Sequence, residues 1–254
     1  MTRPWRFMLV LPALLFLGAC ASMDPGGGSQ SDAKTEDLLH VQRMAAHLSF
    51  PEFGIAGSAL NLGGRKILTC RHCLPDYVLT EDFRRIKTVT VGGKVFQDLP
   101  TFPGRLNGEP VTLRLIAVGA TTAPEDDWAT LEVVEESFTG VIPKLNLNHQ
   151  FKEGEVIYLI GYWHAATEQK LSTIKARVSS PPLPWLSVPS EIICVAAPHE
   201  EVYEGISGGV AAVWNEETHE YVAVGIYRGK REWSGLVKLG VHAVRRFTSD
   251  QSLD

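Results

Sequence analysis

The sequence is poor in cysteine, and four residues among 254 are too few for a fold stapled by disulfides. A hydrophobic core must therefore carry its stability. Basic residues are not in excess either. Lys and Arg number 24 against 29 Asp and Glu, a net charge of −5, which argues against nucleic-acid binding through the overall field. Past residue 20 no stretch stays apolar for 18 residues, so no membrane-spanning helix is expected there. Strand-like and helix-like segments do not alternate, which excludes a parallel βαβ sheet. No convincing internal repeat occurs. What remains is an ordinary globular composition, 44% hydrophobic and 21% charged, enough for one large domain or two small ones sharing a core.

The first 20 residues differ from the rest. Arg3 and Arg6 precede a nearly continuous apolar run, Phe7 to Leu17, too short for a comfortable membrane span and shaped like an export signal. Leu17-Gly18-Ala19-Cys20 resembles the bacterial lipobox. That resemblance implies cleavage after residue 19 and a lipidated Cys20. Ala21 and Ser22, with no aspartate after the cysteine, resemble outer-membrane sorting. The expected address is thus the bacterial cell envelope. The mature chain would carry 22 basic and 29 acidic residues, net −7. Residues 20–34, with Asp-Pro-Gly-Gly-Gly-Ser, read as a flexible tether.

The remainder, 35–254, reads as one all-β domain. Leu38, Val41, Met44, Ala45 and Leu48 at three- and four-residue spacing predict a short helix ending before Pro51. Strand signals follow at Ile55–Leu62, Lys66–Thr69, Ile86–Val91, Lys94–Phe96, Val111–Val118 and Trp128–Val134. Glu135 to Lys152 is read as a connection. Strands resume at Val156–Tyr162, Leu171–Val178, Ile192–Ala197, Val210–Trp214 and Tyr221–Tyr227, with one more near Val237 and Leu239. Ser180-Pro-Pro-Leu-Pro-Trp reads as a rigid loop. Val241, Val244 and Phe247 predict a C-terminal helix over about 240–248.

Gly205-Ile206-Ser207-Gly208-Gly209 stands between two of these strands. Alone it reads equally as a tight turn or as a serine nucleophile, and a nucleophilic serine needs a base. His72 closes a strand and is followed by Cys73, a context that none of the other seven histidines has. Asp127, with Asp126 as its rival, opens the strand at Trp128. An all-β background makes the strand-to-helix elbow of an α/β-hydrolase an unsuitable setting for Ser207.

Taken together, Thr69-Cys70-Arg71-His72-Cys73, Asp127-Trp128-Ala129-Thr130-Leu131 and Gly205-Ile206-Ser207-Gly208-Gly209 resemble the three signature segments of the trypsin-like, chymotrypsin-fold serine peptidases. The order is His, Asp, Ser, with spacings of 55 and 80 residues. The resemblance covers roughly Ile55 to Phe247. It implies two six-stranded antiparallel β-barrels, about 50–134 and 153–238, with the active site between them. It also implies a triad of His72, Asp127 and Ser207, and an oxyanion hole from the N–H groups of Gly205 and Ser207. Ala223-Val224-Gly225-Ile226 resembles the strand lining the family's substrate groove, which makes Ile226 a substrate-binding candidate. Glu201, six residues before Ser207, is a second candidate, for a basic side chain, against the alternative of a solvated acidic loop.

The sequence also departs from the family. Ile206 replaces the aspartate that pairs with a freed N-terminus in many members, and no Arg/Lys-Ile-Val-Gly-Gly segment precedes Ile55. Activation by cleavage is therefore not expected. No cysteine occurs near Ala56-Gly57-Ser58, where the family's usual partner of Cys73 would lie, leaving Cys73 free or paired with Cys70 or Cys194. Cys70-x-x-Cys73 as a redox pair or zinc site lacks a βαβ context and a second ligand pair. No cofactor or metal is expected. The expected partners are a peptide or protein substrate and a membrane, through Cys20, with no nucleic acid. The alternative function is a catalytically silent scaffold lipoprotein.

Overall fold

Hydrophobic alternation and glycine turns wind the chain into two closed antiparallel barrels. The computed structural model describes residues 38–84, 87–91, 94–98, 100–135, 144–165, 168–179, 191–197, 200–233 and 236–243. The export signal, Cys20, the tether and the proline-rich loop at 180–185 lie outside them. Among the described residues no helix is long and apolar enough to cross a membrane.

The first barrel is built from β1 (Ala45–Phe50), β2 (Ile55–Gly63), β3 (Lys66–Thr69), β6 (Thr101–Leu106), β7 (Glu109–Val118) and β8 (Ala129–Val133), closed in the order β1-β2-β3-β8-β7-β6. Between β3 and β6, β4 (Lys87–Val91) and β5 (Lys94–Asp98) form a separate two-stranded sheet. The second barrel is built from β9 (Val156–Ala165), β10 (Glu168–Val178), β11 (Glu191–Ala196), β12 (Val210–Asn215), β13 (Glu220–Trp233) and β14 (Leu236–Ala243), closed as β10-β11-β14-β13-β12-β9.

Three apolar clusters follow from this arrangement. Leu48, Phe50, Ile67, Leu113, Leu131 and Val133 fill the first barrel. Ile157, Leu159, Ile174, Val213, Val224 and Val241 fill the second. A third cluster at the seam joins Leu60, Leu68, Cys70 and Cys73 of the first barrel to Ile160, Val210 and Ile226 of the second. Burying such side chains contributes about 1.5–3 kcal/mol each, so the seam holds the two halves of a shared site in register.

Three sequence expectations are corrected. The short helix predicted from the spacing of Leu38 to Leu48 is confined, within the described residues, to 38–42. From Ala45 the chain is β1, paired with β2 from Ala45↔Leu60 to Phe50↔Ile55. Pairing along β2 buries all six β1 residues, which a helix on the barrel surface would not. The first barrel therefore begins at 45, and β6 supplies its other unexpected strand. The predicted C-terminal helix is overturned at its start, because Val241 lies in β14 opposite Tyr227. Val244 and Phe247 lie outside the described residues.

Candidate active site

The loops that leave the strands at the seam bring the expected residues together. Thr69 ends β3, and Arg71–Cys73 form a single 3-10 turn that lifts His72 out of the sheet. Pro124–Asp126 form a second such turn, capped by Asp127, which precedes Trp128 and β8. Asp127 is 7% exposed and faces the His72 turn. Its Oδ1 accepts the His72 backbone N–H at 3.0 Å, and its Oδ2 lies 2.7 Å from His72 Nδ1. Asp126 is used otherwise. Its carboxylate accepts the Thr121 N–H and hydroxyl at 3.1 and 2.8 Å, which closes the loop before Asp127. Arg71 Nη1 donates to the carbonyl of Gly119 at 2.8 Å, tying the histidine turn to that loop.

Ser207 arrives from the second barrel, in the loop before β12. Its backbone carbonyl accepts the Ser58 N–H at 2.7 Å. The Gly208 N–H donates to Tyr227 at 2.7 Å, and the Gly209 N–H to Ile206 at 2.8 Å. Gly208 has φ +85°, and a Cβ there would stand 2.0 Å from the Ser58 carbonyl oxygen. Only glycine fits that backbone and that approach. Gly205 has φ +92°, and its carbonyl accepts the Ser58 hydroxyl at 3.2 Å. No hydrogen bond joins the Gly205 or Ser207 N–H to another described residue.

Ser207 and His72 line one open cleft of about 580 Å³, with Tyr203, Glu204, Gly205 and Tyr227 to Lys230 on its second-barrel side. No hydrogen bond links their side chains in this conformation. Because Nδ1–H donates to Asp127, Nε2 is the ring nitrogen left to accept a proton.

The electrostatics follow the bonding. Burial of His72 disfavours its charged form, but hydrogen bonds to Asp127 and then Cys73 outweigh it and raise the pKa above 6.5. Burial pushes the Asp127 pKa up, and the bonds and charge of His72 bring it below 3.8, with Arg228 adding to that shift. Arg228 Nε donates to Asp127 Oδ2 at 3.1 Å.

The substrate-binding candidates lie elsewhere. Ile226 is fully buried in the seam cluster and paired with Val210, and it does not line the cleft. Glu201 is exposed, and its carboxylate takes the Tyr203 hydroxyl. Tyr203 itself lines the cleft, as does Glu204, whereas Glu201 does not. Ile206 is fully buried in the second-barrel core, where its apolar side chain belongs.

Cys70, Cys73 and Cys194 are all buried and free. Cys194 lies in the second barrel, and burial pushes its thiol up to about 12. Cys70 and Cys73 sit under His72. The Cys73 thiol donates to the Ser207 carbonyl at 3.6 Å, and that of Cys70 to the Tyr227 carbonyl at 3.5 Å. Ligand atoms of Cys70, His72 and Asp127 lie within 4.8 Å of one another. A cation among them would have to break the His72–Asp127 bond next to the Arg228 guanidinium, so the arrangement favours the bond over a metal.

Two residues of this site escaped sequence reading. Ser58 carries no motif, yet its N–H, carbonyl and hydroxyl all touch the serine loop or its supports. Thr69 donates to its carbonyl at 2.7 Å, and its hydroxyl accepts the Tyr162 N–H at 2.8 Å. Arg228 gave no signal either, since its partner is 101 residues away.

No family model matches the sequence, and no curated protein sequence matches it. Solved structures do match the architecture, two closed six-stranded antiparallel barrels with their loops meeting at the seam, which is the chymotrypsin fold. The chain is similar to the serine endoprotease from Yersinia pestis, at 15% identity and a TM-score of 0.55, over 87% of this chain and 64% of that one. It is also similar to the Rv3671c protease from M. tuberculosis in its active form, at 13% identity and a TM-score of 0.50, over 91% of this chain and 90% of that one.

Proposed function

We propose that the protein is a serine endopeptidase acting through Ser207, His72 and Asp127. The observation that carries this reading is the 2.7 Å His72–Asp127 bond on one side of a cleft whose other side holds Ser207 in a glycine turn. Ser207 Oγ attacks the scissile carbonyl while His72 Nε2 takes its proton. The tetrahedral oxyanion is met by the N–H groups of Gly205 and Ser207. His72 then returns the proton to the leaving amine, and water hydrolyses the acyl-enzyme by the same steps in reverse. Asp127 holds the ring tautomer and stabilises the imidazolium. Catalytic hydrogen bonds are often long without substrate and tighten on binding, which fits the open Ser207–His72 geometry.

The buried Ile206 supports activity without a freed N-terminus, because it offers no charge for one to pair with. The lipobox-like segment supports lipid anchoring at Cys20 and residence in a bacterial envelope. Metabolic labelling with a fatty acid that marks wild type no more than Cys20→Ala would remove that part of the reading.

A silent scaffold is the second reading, favoured by the absence of a Ser207–His72 bond in this conformation. A peptide library separates the two. Cleavage by the wild-type protein and none by Ser207→Ala supports the peptidase. No cleavage by either at any pH from 5 to 11 supports the scaffold.

A further inference from the structure

The strand after the serine loop carries a cation that strict strand alternation does not place. β13 and β14 pair Tyr227 with Val241 and Gly229 with Gly240, so Arg228 is an extra residue in the ladder. Such a bulge re-aims a side chain and is common beside active sites. Here it directs Arg228 across the seam. Its Nε donates to Asp127 Oδ2, the oxygen that also accepts the His72 Nδ1–H. The arginine side chain is 18% exposed. It borders the Ser207 cleft on one side and a second cavity of about 400 Å³, shared with Asp76 and Thr122, on the other.

We propose that Arg228 is a positioning residue, which fastens Asp127 from the second barrel and offsets part of its negative charge as felt by His72. The proposal rests on the triad reading of the site. Two effects follow from one contact. A charge-assisted bond fixes the carboxylate oxygen that orients the imidazole. A cation beside that carboxylate also opposes the imidazolium, so His72 releases its proton at lower pH than Asp127 alone would allow.

The other charged and titratable groups around the dyad are differently engaged. Cys70, just before the 3-10 turn, and Cys73, at its end, donate to backbone carbonyls of the second barrel, and Cys73 also hydrogen-bonds the His72 side chain. Arg71 donates to Gly119 and Thr121. Asp76 lines the second cavity, while Tyr203, Glu204, Tyr227 and Lys230 line the cleft. Among the described residues, Arg228 is the cation in direct contact with Asp127.

The test is an NMR titration of the His72 ring in Ser207→Ala protein, with and without Arg228→Met, alongside pH profiles of kcat/KM in the active forms. Losing the cation should raise the His72 titration midpoint by about one unit, and the acidic limb of kcat/KM should move up with it. Arg228→Lys keeps the charge but lacks the Nε donor. It should hold the midpoint within about 0.3 unit while kcat falls on the order of 10-fold. A folded Arg228→Met with an unchanged or lowered midpoint overturns the proposal. If circular dichroism shows that variant unfolded, Arg228→Lys decides: an unchanged kcat overturns it. Failure of the peptidase reading looks different, because a wild-type protein without turnover still gives the ring titration.

Discussion

The two barrels hold their halves of the site by different means. His72 and Asp127, on the first barrel, are held by side-chain bonds between charged groups, at 2.7 Å between them and 3.1 Å to Arg228 of the second barrel. Ser207, on the second barrel, is held through main chain, by bonds to Ser58 of the first barrel and by the Gly208 bond to Tyr227, with glycine required at 208. The first half therefore responds to protons and to changes of charge. The second is insensitive to pH and intolerant of added carbon. No side-chain bond to another described residue holds the Ser207 hydroxyl, which leaves it free to turn toward either the imidazole or a substrate in the proposed reaction.

This contrast sets the expected order of effects. Ser207→Ala should lower kcat by about 10⁶-fold, because members of a triad act as a unit. Its unfolding midpoint should not change, since the half it belongs to is held by main chain. Asp127→Asn should lower kcat by about 10⁴-fold by favouring the wrong tautomer. Gly208→Ala should act on the fold instead. The new Cβ meets the Ser58 carbonyl at 2.0 Å in a left-handed backbone, and denaturant unfolding should show a loss of about 3 kcal/mol. A Gly208→Ala protein as stable as wild type would break the comparison.

The pH response should divide the halves further. The raised His72 pKa means that kcat/KM climbs with pH through a midpoint above 6.5, giving an alkaline optimum. Stability runs the other way. The His72 contribution is fully present below 6.5 and is lost as pH rises through the raised value. The Asp127 contribution is present above 3.8 and is lost as pH falls through its depressed value. Thermal melts from pH 3 to 11 check both signs. The smallest effect belongs to Glu201→Gln, which should change kcat/KM by less than about 3-fold, because its carboxylate is exposed and does not line the cleft. A loss of selectivity for basic side chains in that variant would return Glu201 to the site.

The sequence made the centre of the site legible and its supports illegible, for a physical reason. His72, Asp127 and Ser207 sit in short segments whose local chemistry is distinctive. Ser58 and Arg228 act across 149 and 101 residues of chain, and nothing beside them in sequence reports it. In the fold, the strand signals at Ile55–Leu62 and Lys66–Thr69 marked β2 and β3. β1 was hidden by helical spacing at Leu38, Val41 and Met44 that overran into Ala45 and Leu48. β6 was hidden by Pro103-Gly104. It tolerates them because its pairing with β1 is confined to Arg105 and Leu106, so Pro103 interrupts no ladder bond to β1.

The most direct measurement is covalent labelling with a fluorophosphonate, with the modified residue mapped by mass spectrometry. The account predicts a single adduct on Ser207, formed more slowly below the His72 midpoint and abolished in His72→Ala. A wild-type protein that takes no label at pH 9, or takes it equally without His72, would contradict the claim that the two barrels assemble a nucleophile.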